Sequence, residues 1–309
     1  QNEQKDTRIS VYGFIIVISC FLQAMFGVVQ FFGFFQISTT LWVTGSFDNP
    51  AGFAACLCAG FPFVGFLLSD SNKYIRYVGG LIGFVIVIAV ILSQSRAGIM
   101  SIAFICFILL NMKFFHKRWV KYLSLLCFAL LLSGCYWMKK DSADGRLLIW
   151  RCSVSMVKDA PWLGHGIGSF EARYMDYQAD YFRQYGLNRY SMLADNVKHP
   201  FNEYLGVLLN FGFVGLLMIL ALITLLIYCY KKHPCAEKRI AFCSLISIGV
   251  FSFFSYTFTY PFTWIVTFLC IIILTKEYIA KVFTCPIIKN TVCIFILLCS
   301  FWGIYNLVK

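Results

Sequence analysis

Runs of about twenty apolar residues, separated by short polar breaks, dominate this chain and leave it few ways to fold. Nine such runs occur, at 11–35, 52–68, 76–94, 97–112, 119–137, 204–230, 240–258, 262–279 and 288–307. Inside a bilayer every backbone N–H and C=O must find a partner within the protein, and a helix satisfies them locally. The expected fold class is all-α: a polytopic integral membrane protein with about nine transmembrane helices. Only 13% of residues are charged and mean hydropathy is +0.76, whereas soluble domains carry roughly 25% charge.

The net charge of +12 is a topology signal before it is a binding signal. Basic residues gather in alternate short connections: Lys5 and Arg8; Lys73 and Arg76; Lys113, Lys117, Arg118 and Lys121; Lys231, Lys232, Lys238 and Arg239; Lys276, Lys281 and Lys289. The short connections between them hold only Arg96, with Lys309 at the C-terminus; the long connection 138–203 holds nine more, but loops of that length translocate largely regardless of charge. The positive-inside rule then puts the N-terminus in the cytoplasm and the long connection 138–203 outside. No nucleic-acid partner is implied. The expected organisation is a bundle over 1–137 with five spans, an external cap over 138–203, and a bundle over 204–309 with four spans. His116 and His233 fall in inner loops and read as solvated.

Most of the 14 cysteines lie inside apolar runs, where they behave as small hydrophobes. Neither a disulfide framework nor a metal-ligand spacing emerges, and no cofactor is expected. No cleavable signal peptide, low-complexity segment or repeat is evident.

The long connection carries the chemistry. Gly145 to Ala160 reads as a helix with Leu147, Trp150, Val154 and Val157 on one face, Asp144 as its cap and Pro161 as its stop. Arg146 then sits in the first turn. The stretch Pro161-Trp162-Leu163-Gly164-His165-Gly166-Ile167-Gly168 lacks the Lys-Ser/Thr of a phosphate loop and reads as a flexible turn. A second helix is expected from Ser169 to near Gly186. Its Phe170, Tyr174, Tyr177 and Tyr181 follow helical spacing, as a packed face or as a sugar-stacking surface.

His199 precedes Pro200, a residue favoured at the first helical position. This predicts His199 as the N-cap of the helix entering 204–230, with the helix dipole favouring a neutral imidazole. Such an imidazole can take a proton near pH 7, although a plain interfacial cap fits the same residues. Asn202 and Glu203, in the first turn, are positioned to orient the ring or a ligand. Arg96 lies between two apolar runs with almost no loop to solvate it, and a charge at that depth is by default functional. Arg96, Arg146 and Arg151, with His199, thus define an outward cationic site suited to phosphate oxygens. His165 is a further candidate.

In combination, these segments resemble the O-antigen ligase and O-antigen polymerase superfamily. The resemblance rests on Ser95-Arg96-Ala97-Gly98, Gly145-Arg146-Leu147-Leu148-Ile149-Trp150, Pro161 to Phe170, His199-Pro200-Phe201-Asn202-Glu203-Tyr204-Leu205 and Gly212-Phe213-Val214-Gly215. Thr44-Gly45-Ser46-Phe47-Asp48-Asn49-Pro50 also resembles a motif of that group. The family's usual His-Asn pair reads His199-Pro200-Phe201-Asn202 here, a departure that bears on Asn202 more than on His199. Family members carry more N-terminal spans, which implies that one or more are missing here.

The resemblance implies a GT-C-like, metal-independent, inverting glycosyltransferase of the bacterial inner membrane, with its site on the periplasmic face. The donor would be an undecaprenyl-diphosphate-linked glycan, with Arg96 and Arg146 on the diphosphate. His199 would act on the acceptor hydroxyl, with Arg151, Asn202, Glu203 and His165 as secondary candidates. Lipid A-core is the acceptor of the ligase reading. A polymerase of lipid-linked repeats or a protein O-oligosaccharyltransferase is the alternative within the superfamily. A glycolipid transporter, the alternative of another class, would place ionisable residues within several spans; Gln23 and Gln30 are polar but uncharged.

Overall fold

A computed structural model of the chain describes residues 2–34, 43–113, 118–138 and 140–284. The described residues are all-helical, a polytopic helical membrane protein. In order come α1 (Asn2–Phe31), α2 (Pro50–Gly60), a 3-10 turn at Phe61–Phe63, α3 (Val64–Leu68), α4 (Lys73–Leu92), α5 (Arg96–Lys113) and α6 (Arg118–Met138). They continue with α7 (Lys140–Asp159), α8 (Ser169–Tyr185), α9 (Glu203–Lys232), α10 (Ala236–Ser252) and α11 (Pro261–Thr284). Helices stand at eight of the nine expected spans. The ninth, 288–307, lies outside the described residues, as does His116.

The count of nine spans is not supported. Among the described residues five stretches are long and apolar enough to cross a membrane: Val11–Phe31, Pro50–Leu68, Lys73–Leu92, Glu203–Lys232 and Pro261–Tyr278. Arg96–Asn111 is apolar but short. α10 has only 17 residues and opens on Glu237, Lys238 and Arg239, so its apolar part is shorter still.

α2 and α10 form the centre. α2 is buried from Gly52 to Gly60, and α10 packs on α2, α5, α9 and α11. Without a hydrophobic drive between helices in lipid, small residues and hydroxyl hydrogen bonds hold such contacts. Here Ser244 Oγ donates to Ala59 O and Ser247 Oγ to Cys58 O, both at 2.7 Å. Ser101 Oγ lies 2.8 Å from Ser247 Oγ. The described cysteines are unpaired thiols, most of them buried. Gln23 and Gln30 are structural: Gln30 Oε1 accepts from the N–H groups of Thr44 and Gly45 at 2.9 Å, and Gln23 Nε2 donates to Ser46 Oγ at 2.7 Å.

The up-and-down order brings four connections to one end of the bundle: 44–49, 93–95, the cap, and 253–260. Hydrogen bonds join them. Arg96 Nη2 donates to Ser142 Oγ at 2.8 Å, Arg146 Nη1 to Phe254 O at 2.8 Å, and Asn49 Nδ2 to Tyr256 Oη at 3.3 Å.

The cap is an antiparallel pair, α7 and α8, seated on α9. α7 begins at Lys140, five residues before the expected start, so Asp144 is a buried helical residue and not a cap. Its buried face is Leu148, Ile149, Cys152, Ser153 and Met156. The expected face is split: Leu147 is 38% and Val154 48% exposed, while Trp150 and Val157 are partly buried against the cap core. α8 runs Ser169–Tyr185 and stops at Gly186 with φ 65°, close to expectation.

The turn at 161–168 is locked into α9. α9 breaks at Gly212, with φ 61° and ψ −159°. The peptide groups released there pair with the turn: Phe213 N donates to Pro161 O and Val214 N to Trp162 O. In return His165 N donates to Leu209 O and Gly166 N to Asn210 O. An added Cβ on Gly164 would lie 2.6 Å from Asn210 C, and one on Gly212 2.3 Å from Trp162 C. The glycines are there for close backbone approach, not for flexibility.

Candidate functional site

His199 does not cap α9. The cap is Asn202, whose side chain accepts from Leu205 N at 3.0 Å. Asn202 is 9% exposed, and its carbonyl oxygen is committed to the helix. A proline is as compatible with extended backbone as with a first helical turn, and here the helix begins three residues beyond Pro200. His199 therefore projects from an irregular segment, fixed by its neighbours. Its ring stacks on Tyr256, centroids 4.6 Å apart and planes 23° from parallel. Burial pushes the His199 imidazole below its ordinary pKa; Glu171 opposes this and Lys198 adds to it. The neutral form is thus favoured by desolvation, not by the helix dipole.

Phe201 sits in the left-handed region, φ 51°, a strained setting for a bulky side chain. The turn places its ring edge-on to Tyr256 at 5.3 Å and under the Arg146 guanidinium at 5.2 Å. Arg146 is drawn down to about 10 by burial, then by the charge of Arg96, with Tyr256 opposing. The two arginines thus lie within electrostatic reach of each other. Their mutual repulsion makes the spot receptive to an anion.

His199 lines a cavity of about 860 Å³. Its polar mouth holds Glu171, Lys198, His199 and Glu203; below, it follows apolar side chains such as Leu222, Leu226, Ile248 and Ile271 between α9, α10 and α11. Arg96 and Arg146 do not line it; Phe201 and Tyr256 stand between. Glu203 Oε1 accepts from Phe258 N at 2.8 Å, fixing the start of α9 to the α10–α11 turn. The expected constellation is therefore two adjoining parts, an arginine pair and a histidine at a cavity mouth, divided by two rings.

Two candidates stand elsewhere. Arg151 points away, its Nη1 3.4 Å from Tyr181 Oη and its guanidinium over Tyr190. His165 is built into the cap: Nε2 lies 2.7 Å from Met156 O, so it donates, and Nδ1 accepts from Arg173 Nη1 at 2.9 Å. Among the described residues no group of three or more His, Cys, Asp or Glu could hold a metal ion.

Residues 81–220 match the sequence model of the O-antigen ligase family. The match carries the resemblance read in the motifs. It runs from within α4 to the middle of α9, and takes in Arg96, the whole cap and His199. No curated protein matches the chain significantly.

Sequence reading missed Tyr256, which lies outside the family match and inside the run 240–258. The signal was the hydroxyl-rich break Ser255-Tyr256-Thr257-Phe258-Thr259-Tyr260-Pro261, too polar for mid-membrane. Tyr256 is also where the 44–50 segment reaches the site. Asn49, N-cap of α2, donates to Tyr256 Oη and accepts from Tyr260 Oη at 3.0 Å.

Proposed function

We propose that this chain is an O-antigen ligase-like glycosyltransferase of the bacterial inner membrane, acting at the periplasmic end of a GT-C-like bundle. It moves a glycan from undecaprenyl diphosphate to an acceptor hydroxyl, lipid A-core in the ligase reading. The observation that carries this is His199 at the polar mouth of an apolar cavity, beside a half-buried arginine pair. An apolar channel between helices suits a polyprenyl tail, and guanidiniums suit diphosphate oxygens. The charge count orients this end outward. In the three-part division at 138 and 203, the C-terminal bundle carries the channel and the cap contributes Ile167, Phe170 and Glu171 to its lining.

The acceptor hydroxyl oxygen attacks the anomeric carbon from the face opposite the diphosphate, so configuration inverts. The bond from that carbon to the phosphate oxygen breaks, and undecaprenyl diphosphate leaves with the electron pair. The acceptor proton passes to the neutral His199 imidazole. Arg146 and Arg96 meet the charge that grows on the leaving diphosphate, the largest electrostatic demand of the step. Phe201 and Tyr256 hold the imidazole in place. Fixing two lipid-anchored reactants at one mouth lowers the barrier further.

Proteoliposomes holding the full chain, a polyprenyl-diphosphate glycan and lipid A-core test this. Glycan should appear on the core, and the His199→Ala protein should lack that product. Lengthened donor chains would favour the polymerase, and glycan on protein hydroxyls the oligosaccharyltransferase. Movement of donor across the bilayer without any new glycosidic bond would support the transporter instead.

A further inference from the structure

A second cleft, of about 700 Å³, lies between α7 and α8 and shares no lining residue with the His199 cavity. Two helical stripes face each other across it, since residues three and four apart share a helix face. α7 presents Trp150, Arg151 and Val154; α8 presents Tyr177, Tyr181 and Tyr185. Tyr181 and Tyr185 stand 4.9 Å apart at 38°, and Tyr185 is 62% exposed. The same lining holds charged groups of both signs, Lys158, Asp159 and Asp180, and the neutral amide of Gln184. Several are already oriented: Tyr177 Oη donates to Asp159 Oδ2 at 2.5 Å, and Arg151 Nη1 approaches Tyr181 Oη.

This pairing of flat apolar faces with fixed polar groups matches a pyranose, whose C–H face is apolar and whose rim is hydroxyl. An alkyl chain would strip water from these charged side chains and return no hydrogen bond. A polyanion would meet Asp159 and Asp180. The size suits an oligosaccharide segment. The cleft also communicates with the site, because Trp150 Nε1 donates to Pro200 O at 3.0 Å, one residue from His199.

We propose that the α7–α8 cleft binds pyranose rings of a glycan substrate, away from its reacting end. The role of guiding that glycan to His199 rests on the glycosyltransferase reading; the binding itself does not.

Saturation-transfer NMR on the full chain in detergent tests it with two lipid-free probes, separately. One is the repeat-unit oligosaccharide of the cell's surface polysaccharide; the other is lipopolysaccharide core oligosaccharide. Signal should pass from the protein to the sugar protons of at least one probe, which identifies donor or acceptor as the source. Tyr185→Ala and Gln184→Ala, at exposed positions that do not hold the fold, should weaken affinity at least about fivefold. His199→Ala should leave it unchanged. No transfer to either probe with the natural protein overturns the proposal. So does binding that survives both cleft variants or vanishes in His199→Ala. Absence of transferase product alongside intact, Tyr185-dependent binding would remove the glycosyltransferase reading and leave the cleft standing.

Discussion

The His199 imidazole lies over the ring of Tyr256, 4.6 Å between centroids, so a turn between α10 and α11 sets the orientation of a residue that precedes α9. Tyr256 is in turn held by Asn49 through its hydroxyl and by the edge of Phe201. Three segments distant in sequence converge on one ring.

Tyr256→Phe removes the Asn49 bond and keeps the stack; Tyr256→Leu removes both. An aromatic pair contributes about 1 kcal/mol beyond its buried area. The Phe variant should therefore retain most transferase activity, and the Leu variant should lose about fivefold or more in kcat with little change in KM for donor. Equal activity in the Leu variant, from steady-state kinetics in proteoliposomes, would mean that the stack does not position the base.

The pH dependence has a definite sign. Burial, aided by Lys198, holds His199 below its ordinary pKa, and Glu171 pulls it upward. The neutral imidazole is the active base, so kcat/KM should be full at neutral pH and fall as pH drops through that lowered pKa. Lys198→Met removes a lowering influence, and the acid limb should move to higher pH. Glu171→Gln removes a raising influence, and the limb should move to lower pH. Both side chains are more than half exposed, so each shift should stay below about one unit. Shifts of the same sign in the two pH–rate profiles would contradict this electrostatic account.

How much of this was legible in the sequence depends on the interaction involved. Local signals served well: Ser169 and Gly186 bound α8 within a residue, and apolar runs located eight helices. The Arg96 and Arg146 motifs do come together. Signals that depend on the neighbours of an element failed. Asp144 resembles a cap, yet the helix begins at Lys140 and its first turn meets Arg96 through Ser142. Leu147 and Val154 look like a core face, but the stripe one position on, Leu148 and Cys152, is what α8 and α9 cover. Pro200 after His199 mimics a helix start, while Asn202 holds the better cap geometry. Tyr256 was hidden because its partners lie on α2 and before α9.

Arg146 should bind diphosphate directly. Its charge is disfavoured by burial and by Arg96, with a pKa of about 10, so a bound anion relieves a cost already present. Inorganic diphosphate at about 100 times its Kd would add roughly 2.7 kcal/mol to folding stability, seen as a rise of a few degrees in Tm. Arg146→Gln should abolish that rise, and Arg146→Lys should restore only part of it, because an ammonium cannot present the planar fork. In the natural protein the rise should fade as pH climbs past the pKa of the diphosphate-bound Arg146, above about 10. An undiminished rise in the Gln variant would place the diphosphate elsewhere.

The splice between the 161–166 turn and α9 gives a last test, of the scaffold rather than the chemistry. Gly212→Ala must place a methyl group 2.3 Å from Trp162 C at a φ of 61°. With ψ at −159° this is a backbone region open essentially to glycine alone, costing on the order of 1–3 kcal/mol for an L-residue; the clash adds to it and threatens four interlocking hydrogen bonds. Gly166→Ala has a positive φ but nothing within 4 Å of its added Cβ, so it carries the backbone cost alone. Thermal unfolding of the two variants should therefore differ, with Gly212→Ala lower by several degrees and depleted in the membrane fraction. Because α9 carries Asn202 and Glu203 at its start, the same variant should also lose activity that Gly166→Ala largely keeps. Equal melting of the two proteins would show that the turn yields freely and that the break at Gly212 is not what seats the cap.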